Sequence, residues 1–264
     1  VMQLIWVNAS WGGFSRLRLG HFGIIATIGT SMLLLIWMVQ WKWQWRALVA
    51  AVLVLVHPLL LKIPYDIKGP AHYLMQFFVD SGDFNKYPIL PWFAFAVVGS
   101  VMAHFWFEAW SDPDKRSRNS MITGLVLIAL AWVVRFGEGY GNIFAWDTFF
   151  SYSFFLVQKY PPSLVHQLWF SGAVIFMVGA FSYIDHRTPL LRPLAKIGKV
   201  PLFFYAVHIP LLAIFSRRLG FFYHEGAGLE SLLGWVVLLA IMYPLALWFG
   251  GVKRKSKAWI IRMI

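Results

Sequence analysis

The stretch KYPPSLVHQLWFSGAVIFMVGAFSYI, Lys159 to Ile184, decides what kind of protein this is. After Lys159 no Asp, Glu, Lys or Arg occurs until Asp185. A helix needs about 20 mostly apolar residues to cross the ~30 Å hydrocarbon core of a bilayer. The run is apolar on every face and does not alternate, so it reads as a lipid-immersed helix and not as a barrel strand. In lipid such a helix satisfies its own backbone groups. Proline fits the first turn of a helix, where its missing donor costs nothing, so Pro161 and Pro162 predict a helix that opens there and runs to Ile184. A residue ahead of proline is pushed to an extended conformation. Tyr160, with Lys159 before it, is therefore expected to be held at one fixed place on the membrane surface.

The same pattern recurs along the chain. Spans are predicted at approximately 19–41, 46–63, 87–107, 119–137, 160–184, 200–216 and 231–252. These make about seven spans, or eight if the opening Val1–Trp11 is the end of a further one. The expected fold is all-α: a polytopic transmembrane helical bundle forming a single integral membrane domain over 1–264. Thr148–Gln158 is aromatic but too short to cross and reads as an interfacial or re-entrant piece. Composition agrees, with 59% hydrophobic and 13% charged residues, against about 25% charged in soluble domains. Cysteine is absent, which excludes disulfides, thiolate metal sites and cysteine nucleophiles. A net charge of +12 in so apolar a chain points to basic residues at membrane boundaries and not to nucleic acid. The first fifteen residues carry no charge and so no signal-peptide n-region; they read as the tail of a hydrophobic segment.

Lys and Arg set the expected orientation. The more basic set of loops holds Lys42 and Arg46, Lys115, Arg116 and Arg118, Arg187 to Lys199, and the terminal KRKSK from Lys253. That set is expected to be cytoplasmic, placing the C-terminus inside and KYPPSL outside. The two longest outward loops, Lys62–Lys86 and Arg135–Lys159, are balanced in charge and rich in aromatics and turn formers, as loops that carry function tend to be. His57, His104, His166 and His208 lie within or at the edges of spans, where ionisable groups are candidates for function. His208, near the middle of its span, stands out, although a neutral imidazole can also serve only to bond a neighbouring helix. No HExxH, GxSxG, P-loop or Rossmann pattern is present, and the histidine spacing fits no metal.

Four blocks carry a resemblance: HFGIIATIGTSMLLL (His21–Leu35), YPILPWFAFAVVGS (Tyr87–Ser100), KYPPSL (Lys159–Leu164) and IGKVPLFFYAVHIPLL (Ile197–Leu212). In order and spacing they resemble a family of bacterial multi-spanning membrane proteins. That family is grouped with the catalytic domain of heparan-α-glucosaminide N-acetyltransferase. The resemblance runs from Leu19 to Ser216 and implies a membrane acyltransferase. In the characterised animal relative, an acetyl group passes from cytoplasmic acetyl-CoA to an amino sugar on the far side of the membrane. A histidine early in the chain is thought to carry the transfer. The family's early acidic residue, Arg-Gly pair and histidine-bearing outward stretch have no counterpart here. In RFGEGYGN, Arg135, Tyr140 and Gly141 match the family pattern, while Glu138 and Asn142 replace it.

Two readings follow. In the first, the chain passes an acyl group from acetyl-CoA or another acyl-CoA to a sugar-like acceptor. His208 is then the catalytic base with Tyr205 beside it. Arg135, Tyr140, Lys159 and Tyr160 bind the acceptor, and Arg192, Lys196 and Lys199 bind the CoA phosphates; no metal is involved. In the second, the chain is an inactive member, without the family's N-terminal helices, serving as a structural subunit of a larger membrane complex. A transporter is the weakest alternative, since inverted repeats are not evident. The resemblance places the chain in the bacterial cytoplasmic membrane. Its partners are the lipid bilayer and either other membrane chains or further copies of itself, with no nucleic acid.

Overall fold

A computed structural model describes residues 23–220, 228–259 and 261. The fold is all-α, with no strand among the described residues. It divides into two compact units after Arg187.

The first unit holds α1 (Ile24–Met38), α2 (Trp43–Leu60), α3 (Pro70–Phe78), α4 (Ile89–His104), α5 (Pro113–Phe136), the single turn α6 (Tyr152–Phe155) and α7 (Leu164–Arg187). A wider turn, Phe105–Ala109, extends α4. The second unit holds a short 3-10 turn at Pro189–Leu191, α8 (Arg192–Ile197), α9 (Pro201–Leu212) with its extension Ala213–Arg218, and α10 (Gly228–Lys255).

Among the described residues, five helices are long and apolar enough to span a membrane: Trp43–Leu60, Ile89–Ala109, Pro113–Phe136, Leu164–Asp185 and Gly228–Lys255. Pro189–Ile197 and Pro201–Ser216 are bent by 67° and make a sixth if taken as one broken span. The expected span at 19–41 is represented by α1, whose 15 described residues reach only about 22 Å at 1.5 Å each. Large apolar side chains project outward all along these helices, among them Trp37, Leu125, Val133, Val174, Phe181 and Trp248. A surface of that kind is stable against lipid and not against water.

Local chemistry explains the helix ends. Asp112 caps α5 by accepting from the Lys115 amide at 2.7 Å, with Pro113 in the first turn. The start of α7 corrects the proline reading. The helix opens at Leu164 and not at Pro161, because the Ser163 hydroxyl accepts from the His166 amide at 3.1 Å. A hydroxyl that satisfies an orphan amide fixes the first turn more firmly than a proline that only tolerates it. The prolines lie instead in a tight turn in which the Ser163 amide donates to the Gln158 carbonyl at 3.0 Å.

Within the first unit α1 and α2 pack on α4 around Met38, Ala50, Ile89, Phe93 and Val97. Helices α5 and α7 form the closest pair, face to face through small residues. A Cβ on Gly124 would lie 2.6 Å from the Gly172 carbonyl oxygen, and one on Gly172 would lie 2.7 Å from that of Gly124. Without a hydrophobic drive between helices in lipid, such backbone approach is what holds them together. Because successive helices alternate in direction, the ends of α2 and α5 and the starts of α4 and α7 share one membrane face. Both long loops lie on it.

Gly124→Leu is expected to wedge α5 from α7 and destabilise the bundle by at least ~2 kcal/mol. Thermal unfolding in nanodiscs should show a large fall in midpoint. Gly99→Leu is the control: a Cβ there meets nothing within 4 Å, and the midpoint should change little.

Candidate functional site

The loop from Gly137 to Ser163 is organised around Arg135, at the end of α5 and 1% exposed. Guanidinium has five N–H donors, and five acceptors meet them. Nε donates to the Phe154 carbonyl at 2.9 Å, Nη1 to Asn142 Oδ1 at 2.9 Å and the Phe144 carbonyl at 2.6 Å, and Nη2 to the Ser153 and Leu156 carbonyls at 2.8 and 3.3 Å. Trp146 Nε1 donates in turn to the Arg135 carbonyl at 3.1 Å. No donor is left over for a ligand. Arg135 thus braces the loop, with its guanidinium donors turned to the chain itself. Asn142, one of the two departures from the family pattern, belongs to this brace. Gly141 has φ +84°, and a Cβ there would lie 2.7 Å from Leu164, so only glycine brings the loop this close to α7.

Tyr140 is also committed, since its hydroxyl donates to the Leu55 carbonyl of α2. Lys159 and Tyr160 are different: both are exposed on the loop face. The Lys159 ammonium stands 5.1 Å from the Tyr160 ring centroid. The Tyr160 hydroxyl lies 3.1 Å from that of Tyr87, and the two rings meet edge to face at 5.3 Å.

Tyr87 was not among the expected site residues, yet the sequence held a signal for it. The tripeptide KYP occurs twice, at Lys86–Pro88 and Lys159–Pro161, and the fold brings the two copies together. Each is pinned from behind. Buried Asn85 donates to the Gln76 carbonyl at 3.1 Å and accepts from the Tyr87 amide at 2.8 Å, while Thr27 donates to the Tyr87 carbonyl at 3.0 Å. On the other copy Gln158 donates to the Tyr160 carbonyl at 2.7 Å, and Gln167 to the Pro162 carbonyl at 3.2 Å. Burial pushes the Tyr160 phenol up, but the Tyr87 hydroxyl and the Lys159 and Lys86 ammonium groups outweigh it and hold the phenol below its ordinary range.

An aromatic wall continues inward from Tyr87 through Trp92 and Phe95 to His166 and Phe170. His166 is buried, and its Nδ1 has no partner; the same holds for Trp92 Nε1. On the same face His57 Nε2 donates to the Val79 carbonyl at 2.8 Å, which leaves Nδ1 as the free acceptor nitrogen. Beside it the Tyr65 hydroxyl donates to Asp80 Oδ2 at 2.9 Å. Burial and that carboxylate push the Tyr65 phenol up to about 12.

The remaining expected residues all belong to the second unit. His208 is half-buried, and its Nδ1 donates to the Phe204 carbonyl at 2.9 Å. A carbonyl only accepts, so Nδ1 is the donor, and in the neutral ring Nε2 is the acceptor. Tyr205 stands edge to face with the His208 ring at 5.3 Å. Arg192, Lys196 and Lys199 are exposed on and just beyond α8. None of the three makes an ion pair among the described residues, which suits them to phosphate oxygens. No group of residues fit to hold a metal occurs among the described residues.

Residues 6–135 match the family model described as heparan-alpha-glucosaminide N-acetyltransferase, catalytic. The chain is related to that family, and the matched region ends at Arg135 within α5. No curated protein and no solved structure matches it.

Two outcomes are expected from this geometry. Arg135→Lys offers three donors at one point to five separated acceptors; it should cost at least ~2 kcal/mol and speed proteolytic cleavage between 137 and 158 in nanodiscs. For Tyr65 the raised pKa means that the folded state holds its proton more tightly. The stability this contributes is complete below the ordinary value near 10 and is lost as pH rises through about 12. Tyr65→Phe should flatten the unfolding midpoint across that interval.

Proposed function

We propose that this chain, a membrane acyltransferase-like relative of the heparan-alpha-glucosaminide N-acetyltransferase catalytic family, moves an acyl group from acyl-CoA to a sugar-like acceptor across the bilayer. The family match over residues 6–135 carries this reading. The exposed doorway at Lys159 and Tyr160 supports it by offering a polar acceptor aromatic faces and donors at the membrane surface. In this reading the doorway faces outward, and the C-terminus is cytoplasmic in a bacterial inner membrane. Arg192, Lys196 and Lys199 receive the CoA phosphates, as unpaired exposed cations suit.

The chemistry is a single acyl transfer. The acceptor nitrogen or oxygen bonds to the thioester carbonyl carbon, the carbon–sulfur bond breaks, and CoA leaves as thiolate. A base takes the acceptor's proton, and within the second unit His208, whose Nδ1 donates to the Phe204 carbonyl, is the candidate for that role through Nε2. Base catalysis of this kind is worth about 10²–10⁴-fold.

The test is the full chain in proteoliposomes, with acetyl-CoA on one side and glucosamine on the other. Thiol release matched one to one by N-acetylglucosamine is expected. His208→Ala should lower both by about 100-fold while inserting normally; full activity in that variant removes His208 from the mechanism. Absence of turnover with several acyl-CoAs, together with stoichiometric co-purification of other membrane chains, would assign the chain instead as a structural subunit.

A further inference from the structure

The doorway presents two lysines, Lys86 and Lys159, that form no ion pair among the described residues. Lys86 and Lys159 each stand next to a tyrosine, and the two tyrosine hydroxyls lie 3.1 Å apart. Both lysines act on the Tyr160 hydroxyl electrostatically. Neither makes an ion pair among the described residues, whose two ion pairs are His104–Glu108 and Arg187–Asp114. The nearby carboxylate of Asp80 is already taken by Tyr65 and the Ser81 amide. Lys159 also bears on His166, which is 6% exposed and carries an unpartnered Nδ1.

The backbone under these side chains is fixed on both copies. Asn85 and Thr27 hold Tyr87, and Gln158 holds Tyr160. Asn85 is fully buried, so its two hydrogen bonds are not exchanged for water. The two hydroxyls thus meet on rigid supports, with the Lys159 ammonium 5.1 Å from the Tyr160 ring and neither lysine in an ion pair among the described residues. Charge-assisted hydrogen bonds to such a set are about twice as strong as neutral ones.

We infer that the paired KYP tripeptides, Lys86–Tyr87 and Lys159–Tyr160, form a binding site for a phosphate group at the membrane face. A phosphate monoester carries close to two negative charges near neutral pH and a lipid phosphodiester one, and the oxygens of either can accept from the ammonium groups and from the Tyr160 hydroxyl. The phosphate comes either from a soluble phosphorylated sugar or from a lipid headgroup. If the chain is an acyltransferase, this group is part of the acceptor. That role rests on the function proposed above, but the binding does not.

Binding is therefore measured without any acyl donor. The full chain is placed in nanodiscs of zwitterionic lipid and titrated with inorganic phosphate and with glucosamine 6-phosphate by calorimetry. In parallel, nanodiscs containing phosphatidylglycerol are compared with zwitterionic ones by following tyrosine ionisation through phenolate absorbance. Binding of a soluble phosphate that weakens by about tenfold for each lysine replaced by glutamine, and that falls with salt, supports the site with a soluble ligand. No soluble binding, but a phosphatidylglycerol-dependent change in the ionisation of Tyr160 that Tyr160→Phe abolishes, supports it with a lipid headgroup. Lys86→Arg with Lys159→Arg keeps the charge and should keep either signal, which separates charge loss from misfolding. Absence of both signals in the wild type, or signals that survive both glutamine substitutions, overturns the site. Binding without acyl transfer leaves the site standing and removes the enzyme reading alone.

Discussion

One guanidinium holds the loop between α5 and α7 together. A buried cation costs several kcal/mol to desolvate, and Arg135 offsets this with no carboxylate bonded to it. Its five N–H groups go to four backbone carbonyls and one side-chain amide, all within residues 142–156. A loop whose only regular piece among the described residues is the single turn α6 has carbonyls that point in many directions. A planar fork with five fixed donors can gather them where a lysine could not. The loop in turn sets the approach to α7, through the Val165 amide donating to the Gly141 carbonyl at 3.3 Å. The position of Tyr160 is therefore a consequence of how Arg135 is satisfied.

The same loop can matter only because α5 and α7 are fixed relative to one another. Gly124, Gly172 and Gly179 let the two backbones touch, and buried Ser117, Ser120 and Ala131 continue that face. Larger residues would push the helices apart and tilt the start of α7. From there the register passes to α4, which Tyr87 directly precedes. Packing in the lipid interior, made of small residues with no chemistry of their own, thus decides whether two hydroxyls at the surface meet.

Much of the fold was legible because lipid imposes a simple rule: charge-free runs of sufficient length become helices. The runs near 46–63, 87–107, 119–137, 160–184 and 231–252 all became long apolar helices. The run at 200–216 was harder, because α8 and α9 meet at a bend of 67° that no hydropathy pattern encodes. The site was less legible for a related reason. Sequence gives residue types but not which donors are already used. Arg135 and Tyr140 look like ligand contacts among the polar loop residues, and both are spent on carbonyls. Lys86 and Tyr87 looked like the edge of a span, although the repeated KYP was visible in the sequence.

Charge balance ties these observations together. The chain has 23 Lys and Arg against 11 Asp and Glu, so acidic side chains cannot serve most of its cations. Two solutions are used. Where a cation or imidazole is inside, backbone carbonyls at helix ends and in loops take the place of carboxylates. Arg135 does this with four of them, Arg46 with that of Ser100 at 2.7 Å, His57 with that of Val79 and His208 with that of Phe204. A carbonyl only accepts, so in each of these bonds the ring nitrogen or guanidinium is the donor. At the surface Arg187 pairs with Asp114, while Lys159, Arg192, Lys196 and Lys199 stay exposed and make no ion pair among the described residues. Arg135 is thus closed to ligands by construction, whereas the surface set keeps its donors open.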